Sequence, residues 1–427
     1  MTADATLPQA RRPGSTGGTA ARGTVAGVLL LIGSLTGSPA IVVLGLVGML
    51  MTAIHAIWAR HGLRAVEYRR ILPSRRAVWG DELDVAISVW NRKRLPLAWL
   101  EAEDTLHPAL PIRERTLGPD ERPDRFVNTW TLGSYERVVR HYHILAERRG
   151  VFELGPTRLR VGDLFGNQAA EEERTARDAF LVRPRIVPVR ERFVRQRWDG
   201  ELRARQGLLE NPSLFSGVRE YRAGDSLRRV HWKATARLGQ PVSRRFDPAR
   251  ERDVMLALDI QNSGRRGAAT SLGEDDSVEA LCVAAASLAR SFERSGRSFG
   301  LAAAGFSGSI RPFAYIAPSE AVGQLGRVLD ILARLSAVPS AEFQQLLTAL
   351  VRILRPGATI LVLSGRPPVP YLPALRRLAR SGFPVLLVAF GRDAGVNAAT
   401  ARRAGITARV AELEGSWRTS PELVLAG

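Results

Sequence analysis

The chain has 427 residues, 45% of them hydrophobic and 24% charged; this is the make-up of a folded protein with room for two ordinary domains and an anchor, and it excludes a disordered chain. Its single cysteine, Cys282, excludes an internal disulfide framework and any cysteine-based zinc site. A formal net charge of +19, carried almost wholly by arginine, leaves three partner classes open on charge alone: nucleic acid, anionic lipid or an acidic protein.

Residues 1–23 are polar, small and basic, and predict a disordered leader. From Thr24 to Trp58 there is no Asp, Glu, Lys or Arg, and the stretch is broken by the turn signal Thr36-Gly37-Ser38-Pro39. The segments Thr24–Leu35 and Ala40–Trp58 then predict a transmembrane helical hairpin over 24–59, although the first is short for a span of about 20 residues. Arg11, Arg12 and Arg22 precede the hairpin, Arg60, Arg64, Arg69 and Arg70 follow it, and the turn carries none. That asymmetry places both ends, and the body, on the cytoplasmic side of a cell membrane. The competing readings are a cleaved signal peptide and a single span with the body outside. His55 and Trp58 suit an interfacial position, with no further role assigned.

Over residues 66–189, short alternating runs predict an antiparallel β-sandwich of immunoglobulin size. Leu83, Val85, Ile87 and Val89 share one face of a strand, and further strands are expected at Leu97–Leu100, Phe126–Leu132, Arg137–Leu145, Val151–Leu154 and Thr157–Val161. Trp79, Trp90, Trp99 and Trp130 read as packing residues. His107, His141 and His143 lack matching carboxylates or cysteines at ligand spacing.

Residues 190–250 form a connector whose distinctive stretch runs from Phe215 to Arg237. Ala223-Gly224-Asp225 reads as a turn, from which Asp225 could cap a helical segment Ser226–Trp232 or pair with Arg219, Arg228 or Arg237. Gly217 and Gly224 permit backbone angles closed to other residues, and Trp232 offers a large apolar plug. A buried charged clasp on Asp225 is one reading. An exposed surface of arginines, Trp232 and Lys233 that receives a partner is the other.

Gly217, Arg219, Tyr221, Gly224, Asp225, Arg228, Val230, His231, Trp232, Ala236 and Arg237 together resemble the signature of the DUF58 family of bacterial membrane-anchored proteins. Arg149-Gly150 and Asp163-Leu164-Phe165-Gly166 look like its upstream signature. The resemblance implies a partnership with a MoxR-type AAA+ ATPase and a C-terminal domain of von Willebrand factor A type.

From Arg252 onward strands alternate with helical patterns, which predicts a doubly wound α/β domain over 251–427 with a parallel sheet. Strands are expected at Val254–Asp259, Ser298–Ala304, Ala358–Ser364 and Pro384–Phe390, and helices at Ser277–Ser295, Ser319–Leu335, Ala341–Leu354 and Leu372–Ser381. The A-type fold that the resemblance implies often holds Mg²⁺ in an Asp-x-Ser-x-Ser loop. Here Asp259 and Ser263 keep two of those positions, Gln261 replaces the first serine, and Ser364-Gly365-Arg366 stands where a second acid is expected. No intact cation site and no cofactor are expected, and Asp259 reads as a helix cap at the sheet's carboxyl edge.

The expectation for function is a membrane-tethered scaffold or adaptor, not an enzyme, that works on the bilayer with an AAA+ ATPase in assembly or maturation of envelope proteins. A nucleic-acid-binding protein is one alternative, weakened because the arginines are spread throughout and no recognised nucleic-acid motif is present. A hydrolase using Asp225, His231 or Asp259 is the other.

Overall fold

The computed structural model describes residues 11–13, 16–114, 122–190, 215–221, 230–246, 253–260, 272–304, 313–335, 342–413 and 417–426. They fall into two units, Met1–Arg183 and Pro184–Gly427.

In the first unit the uncharged stretch becomes two helices, α1 (Thr16–Thr36) and α2 (Pro39–His61), joined through Gly37 at φ 65°. α2 is long and apolar enough to cross a membrane; the apolar part of α1, Ala21–Thr36, is shorter. The helices approach through small residues. A Cβ on Gly45 would lie 2.7 Å from Leu30 Cγ, and one on Gly33 2.7 Å from the Val42 backbone nitrogen. Small residues at these positions let the two helix backbones approach closely.

The expected disordered leader is corrected in part. Arg11–Pro13 forms a short strand, β1, and α1 begins at Thr16 rather than after Gly23. Once the apolar segment nucleates a helix, each added residue gains a hydrogen bond. β1 in turn satisfies the backbone of the strand β10 (Gln168–Arg174), with Arg11 opposite Glu172 and Pro13 opposite Ala170.

The body of this unit is built from β2 (Val66–Ile71), β3 (Arg76–Val78), β4 (Glu82–Asn91), β5 (Leu97–Thr105), β6 (Arg125–Leu132), β7 (Arg137–Leu145), β8 (Gly150–Leu154), β9 (Thr157–Gly162), β10 and β11 (Asp178–Arg183). They form sheets ordered β1-β10-β9-β5-β6, β2-β4-β7 and β3-β11-β8. Leu83, Val85, Ile87 and Val89 turn inward, as their alternation requires, onto a core shared with Leu100, Trp130, Leu159 and Phe180. The sequence reading misses β10, because Glu171, Glu172 and Glu173 are poor strand formers. The partner strand explains it: Glu171 lies opposite Arg160 and Glu173 opposite Arg158, so the charges pair across the ladder. Likewise β4 sets Asp84 opposite His143, and Glu114 meets the same ring, which supplies carboxylates that spacing alone did not show. Among the described residues no group of three or more His, Cys, Asp or Glu is arranged to hold a metal.

The end of α2 is docked on this body, which corrects the purely interfacial reading of His55 and Trp58. Trp58 belongs to the β core, and the His55 ring Nδ1 lies 2.8 Å from Asp163 Oδ2. Asp163 also accepts the backbone N–H groups of Phe165 and Asn167, each at 2.9 Å. Burial pushes this carboxyl up, but the His55 ring and the loop donors outweigh it and hold it below the ordinary carboxylate range. A carboxylate with a depressed folded pKa contributes stability that is complete above its unfolded value, about 3.9, and lost as pH falls through the folded one. Acidification below about pH 4 should therefore loosen α2 from the sheet. Melting of the full chain in detergent checks this: the advantage of wild type over Asp163→Asn should be constant near neutrality and shrink in acid.

The second unit contains a hairpin, β12 (Phe215–Glu220) and β13 (Val242–Phe246), with helix α3 (Trp232–Leu238) between them in sequence. It continues with β14 (Val254–Asp259), α4 (Leu272–Arg294), β15 (Phe299–Ala303), β16 (Ala314–Ser319), α5 (Gln324–Arg334), α6 (Phe343–Ile353), β17 (Thr359–Ser364), α7 (Leu372–Arg380), β18 (Val385–Ala389), α8 (Ala394–Arg403), β19 (Thr407–Leu413) and β20 (Leu423–Ala426). The sheet order is β16-β15-β14-β17-β18-β19-β20. Its five central strands are parallel and both edges antiparallel, so the all-parallel expectation is corrected at the edges. α6, α7 and α8 share one apolar cluster with Met255, Ile360 and Leu387. α4, with Cys282 fully buried, contacts α5 and the strands β14, β15 and β17. The predicted helix Ser319–Leu335 is shortened: β16 takes Ser319, and Gly323 at φ 87° precedes the helix start.

Candidate functional site: a closed sheet edge and an exposed motif helix

The strand order reverses at β14, which is followed on one side by β15 and on the other by β17. This is the point where open α/β sheets present ligand sites at their carboxyl ends. Asp259 ends β14, Ser364 ends β17, and the two lie in register. Asp259 is 1% exposed, and its carboxylate is fully engaged. Ser364 Oγ donates to Oδ2 at 2.7 Å, Arg366 Nε to Oδ2 at 2.9 Å and Arg366 Nη2 to Oδ1 at 3.0 Å. The Arg366 N–H donates to Ser364 Oγ at 3.1 Å, and the Tyr371 hydroxyl to the Arg366 carbonyl at 3.3 Å. Burial, followed by the nearby Asp259 charge, pushes the Tyr371 hydroxyl well above its ordinary value.

Asp259 is thus held by an ion pair that the sequence reading does not foresee, while the segment it is expected to cap lies outside the described residues. The Arg366 fork takes both of its oxygens, as a bidentate guanidinium does. The residues present do not fit a divalent cation, since Arg366 already supplies the positive charge that Mg²⁺ would bring to Asp259. Ser263 and Gln261 lie outside the described residues.

The connector motif divides into parts. Gly217 and Arg219 lie on β12, opposite Arg245 and Ser243 of β13. Tyr221 follows the strand, its N–H donating to the Pro241 carbonyl at 3.0 Å. Gly224, Asp225 and Arg228 lie outside the described residues, and with them the proposed Asp225 clasp. Of the expected helix Ser226–Trp232, residues 226–229 lie outside the described residues; Val230 is in a β-bridge, and a helix starts at Trp232. His231 caps it, Nδ1 accepting the Ala234 N–H at 3.1 Å, so the neutral ring carries its proton on Nε2. Gly239 at φ 71° closes the other end. Val230 bridges Ser243, and the Val242 N–H donates to Thr235 Oγ1 at 3.2 Å, which seats α3 on β13.

Seated this way, α3 turns Trp232, Lys233, Ala236, Arg237 and Leu238 to solvent. Trp232 is 67% exposed, which corrects its reading as a buried plug. The sequence carried a weak sign of this. Positions 235 and 236, where a buried tryptophan's helical neighbours would be large and apolar, are Thr235 and Ala236. Lys233 and Arg237, one turn apart, add two exposed cations to the same short helix. The arrangement can hold an apolar side chain next to an acidic group.

Residues 217–382 match the family described as "Protein of unknown function DUF58". A Bacillus subtilis (strain 168) relative named "Uncharacterized protein YeaD" is 25% identical over 260 residues, which is 60% of this chain and 60% of the relative. The chain thus spans about three fifths of that relative's length. Among solved structures, the CARDB domain of the PF1109 protein from Pyrococcus furiosus is similar at 11% identity, over 27% of this chain and 91% of that one, with a TM-score of 0.19. A cohesin module from a Clostridium perfringens family 33 glycoside hydrolase is similar at 10% identity, over 27% and 96%, with a TM-score of 0.21. Neither bears on what the chain does.

Proposed function

The chain belongs to the DUF58 family, and from that premise we propose that it is a membrane-tethered adaptor whose cytoplasmic body captures a protein partner through the motif helix α3. The observation that carries the reading is the exposure of Trp232 on a helix pinned at both ends. A folded protein seldom leaves a tryptophan in water, and Trp and Arg are the residue types that dominate interface energetics. The α1–α2 hairpin is the anchor, and the arginines at both of its ends favour the cytoplasmic orientation. The body is an immunoglobulin-like β-sandwich followed by a von Willebrand factor A-like domain whose cation position is replaced by the Asp259–Arg366 pair. Family resemblance supports a MoxR-type AAA+ ATPase as the partner, in assembly or maturation of envelope proteins. It also supports a binding role rather than an enzymatic one.

The two lysines make the test sharp. Lys233 lies on the candidate face, whereas Lys93 is half-buried and bonded to Asn91. An amine-specific crosslinker applied to native membranes at neutral pH should give a product that Lys233→Arg removes. Trp232→Ala should abolish that product while changing stability by no more than about 0.5 kcal/mol, as expected of an exposed position. Loss of an interface anchor worth about 2 kcal/mol weakens capture roughly 30-fold. Unchanged capture by Trp232→Ala would remove α3 from the binding surface.

A further inference from the structure

The turn Asp163–Asn167 between β9 and β10 ends in two adjacent exposed apolar side chains, Leu164 at 58% and Phe165 at 47%. Among the described residues of the β-rich body, no other two consecutive large apolar side chains are exposed. The turn is not loose. Asp163 holds it from inside through the Phe165 and Asn167 amides, and Gly166 at φ 82° closes it. Residues 164–168 carry no charge.

Its position is set by the same Asp163, which is bonded to His55. His55 lies five residues before Arg60, the first charged residue of α2, so the turn is held about 7.5 Å along the helix axis on the apolar side of that charge. β1 pairs with β10 and leads into α1, so both ends of the hairpin meet the sheet beside this turn. Register places more of the surface. Gly162 lies opposite Trp99, and Leu97 opposite Leu132, so the β4–β5 and β6–β7 connections lie at the same sheet end. Those connections expose Arg92 and Arg94, and Tyr135 at 61%. Apolar tips, an aromatic with a polar end and a rim of arginine match the layers of a bilayer surface from acyl boundary to phosphate.

We propose that Leu164 and Phe165 form a lipid-inserting wedge, with Tyr135, Arg92 and Arg94 at the headgroup level, so that the β-rich body rests on the membrane instead of hanging from its anchor. This rests on the hairpin reading above, and the test separates the two. Nitroxide labels are placed one at a time on the full chain in lipid vesicles through Leu164→Cys, Phe165→Cys, Leu46→Cys and Val127→Cys. Cys282, fully buried, is spared by the label. Leu46, 54% exposed on α2, reports the anchor; Val127, 46% exposed and paired with Glu103 toward the opposite sheet end, reports water. Collisions with oxygen and with a water-soluble nickel chelate are then compared. The expected result is loss of nickel contact and gain of oxygen contact at 164 and 165, as at 46 and unlike 127. Labels 164 and 165 behaving like 127 while 46 stays in lipid would overturn the wedge alone. Water contact at 46 would overturn the anchor and the wedge together.

Discussion

Replacing Arg70 with alanine should cost the β-rich unit about 3–5 kcal/mol, the loss typical when one partner of a buried ion pair is removed. The Arg70 side chain is 4% exposed and Asp104 is 0% exposed. Arg70 Nη1 lies 3.0 Å from Asp104 Oδ1 and Nε lies 2.8 Å from Asp178 Oδ2, while Nη2 donates to the Ala176 carbonyl at 2.6 Å. Tyr68 and Thr157 donate their hydroxyls to Asp104 as well. Tyr68 and Arg70 come from β2, Asp104 from β5, Thr157 from β9 and Asp178 from β11, so one guanidinium ties together all three sheets of the unit. Gly155 at φ 103° lets the chain pass, since a Cβ there would stand 2.3 Å from Arg70 Nη1. Burial already pushes the Asp104 carboxyl above its ordinary range against these donors, and without Arg70 the charge would be stranded. Hydrogen exchange at β5 and β9 amides in the full chain should show the loss locally. A paired Arg70→Met, Asp104→Leu change should lose much less, because it leaves no buried charge. A loss below about 1 kcal/mol in Arg70→Ala would mean that water screens the site as it does a surface pair.

The second large effect is expected at the sheet edge. Arg366→Ala should destabilise the α/β unit by about 3 kcal/mol, the lower end of the range for a buried pair. Asp259 is fully buried, but the Arg366 side chain keeps 18% exposure, so water can partly replace it. Melts of the full chain in detergent measure the loss. The same melts carry a second reading, because wild type should be unmoved by millimolar Mg²⁺ or Mn²⁺. A cation site at a hundredfold excess over its dissociation constant would add about 2.7 kcal/mol, and a gain of that size abolished by Asp259→Ala would show that the metal displaces Arg366.

By itself the sequence determined what depends on pattern. An uncharged run broken at Thr36–Pro39 is enough for two apolar helices, since nothing else satisfies so many apolar side chains at helical length. Alternation placed β4 and β7, and the all-apolar run ending in Asp259 placed β14, because periodicity reports which faces are buried. Only the tertiary structure decided the rest, because it depends on partners distant in the chain. Glu171 and Glu173 sit in a strand because Arg160 and Arg158 face them, and Glu172, opposite Leu159, is paired with Arg174. Asp259 is half of an ion pair because a residue 107 positions later reaches both of its oxygens. His55 is not an interfacial ornament but a latch, held by Asp163 across 108 positions. Trp232 looked like core in sequence because size and apolarity say that a side chain gains by burial, not that a neighbour exists to bury it. In this fold α3 is fastened to β13 through His231 and Thr235, and the indole faces water.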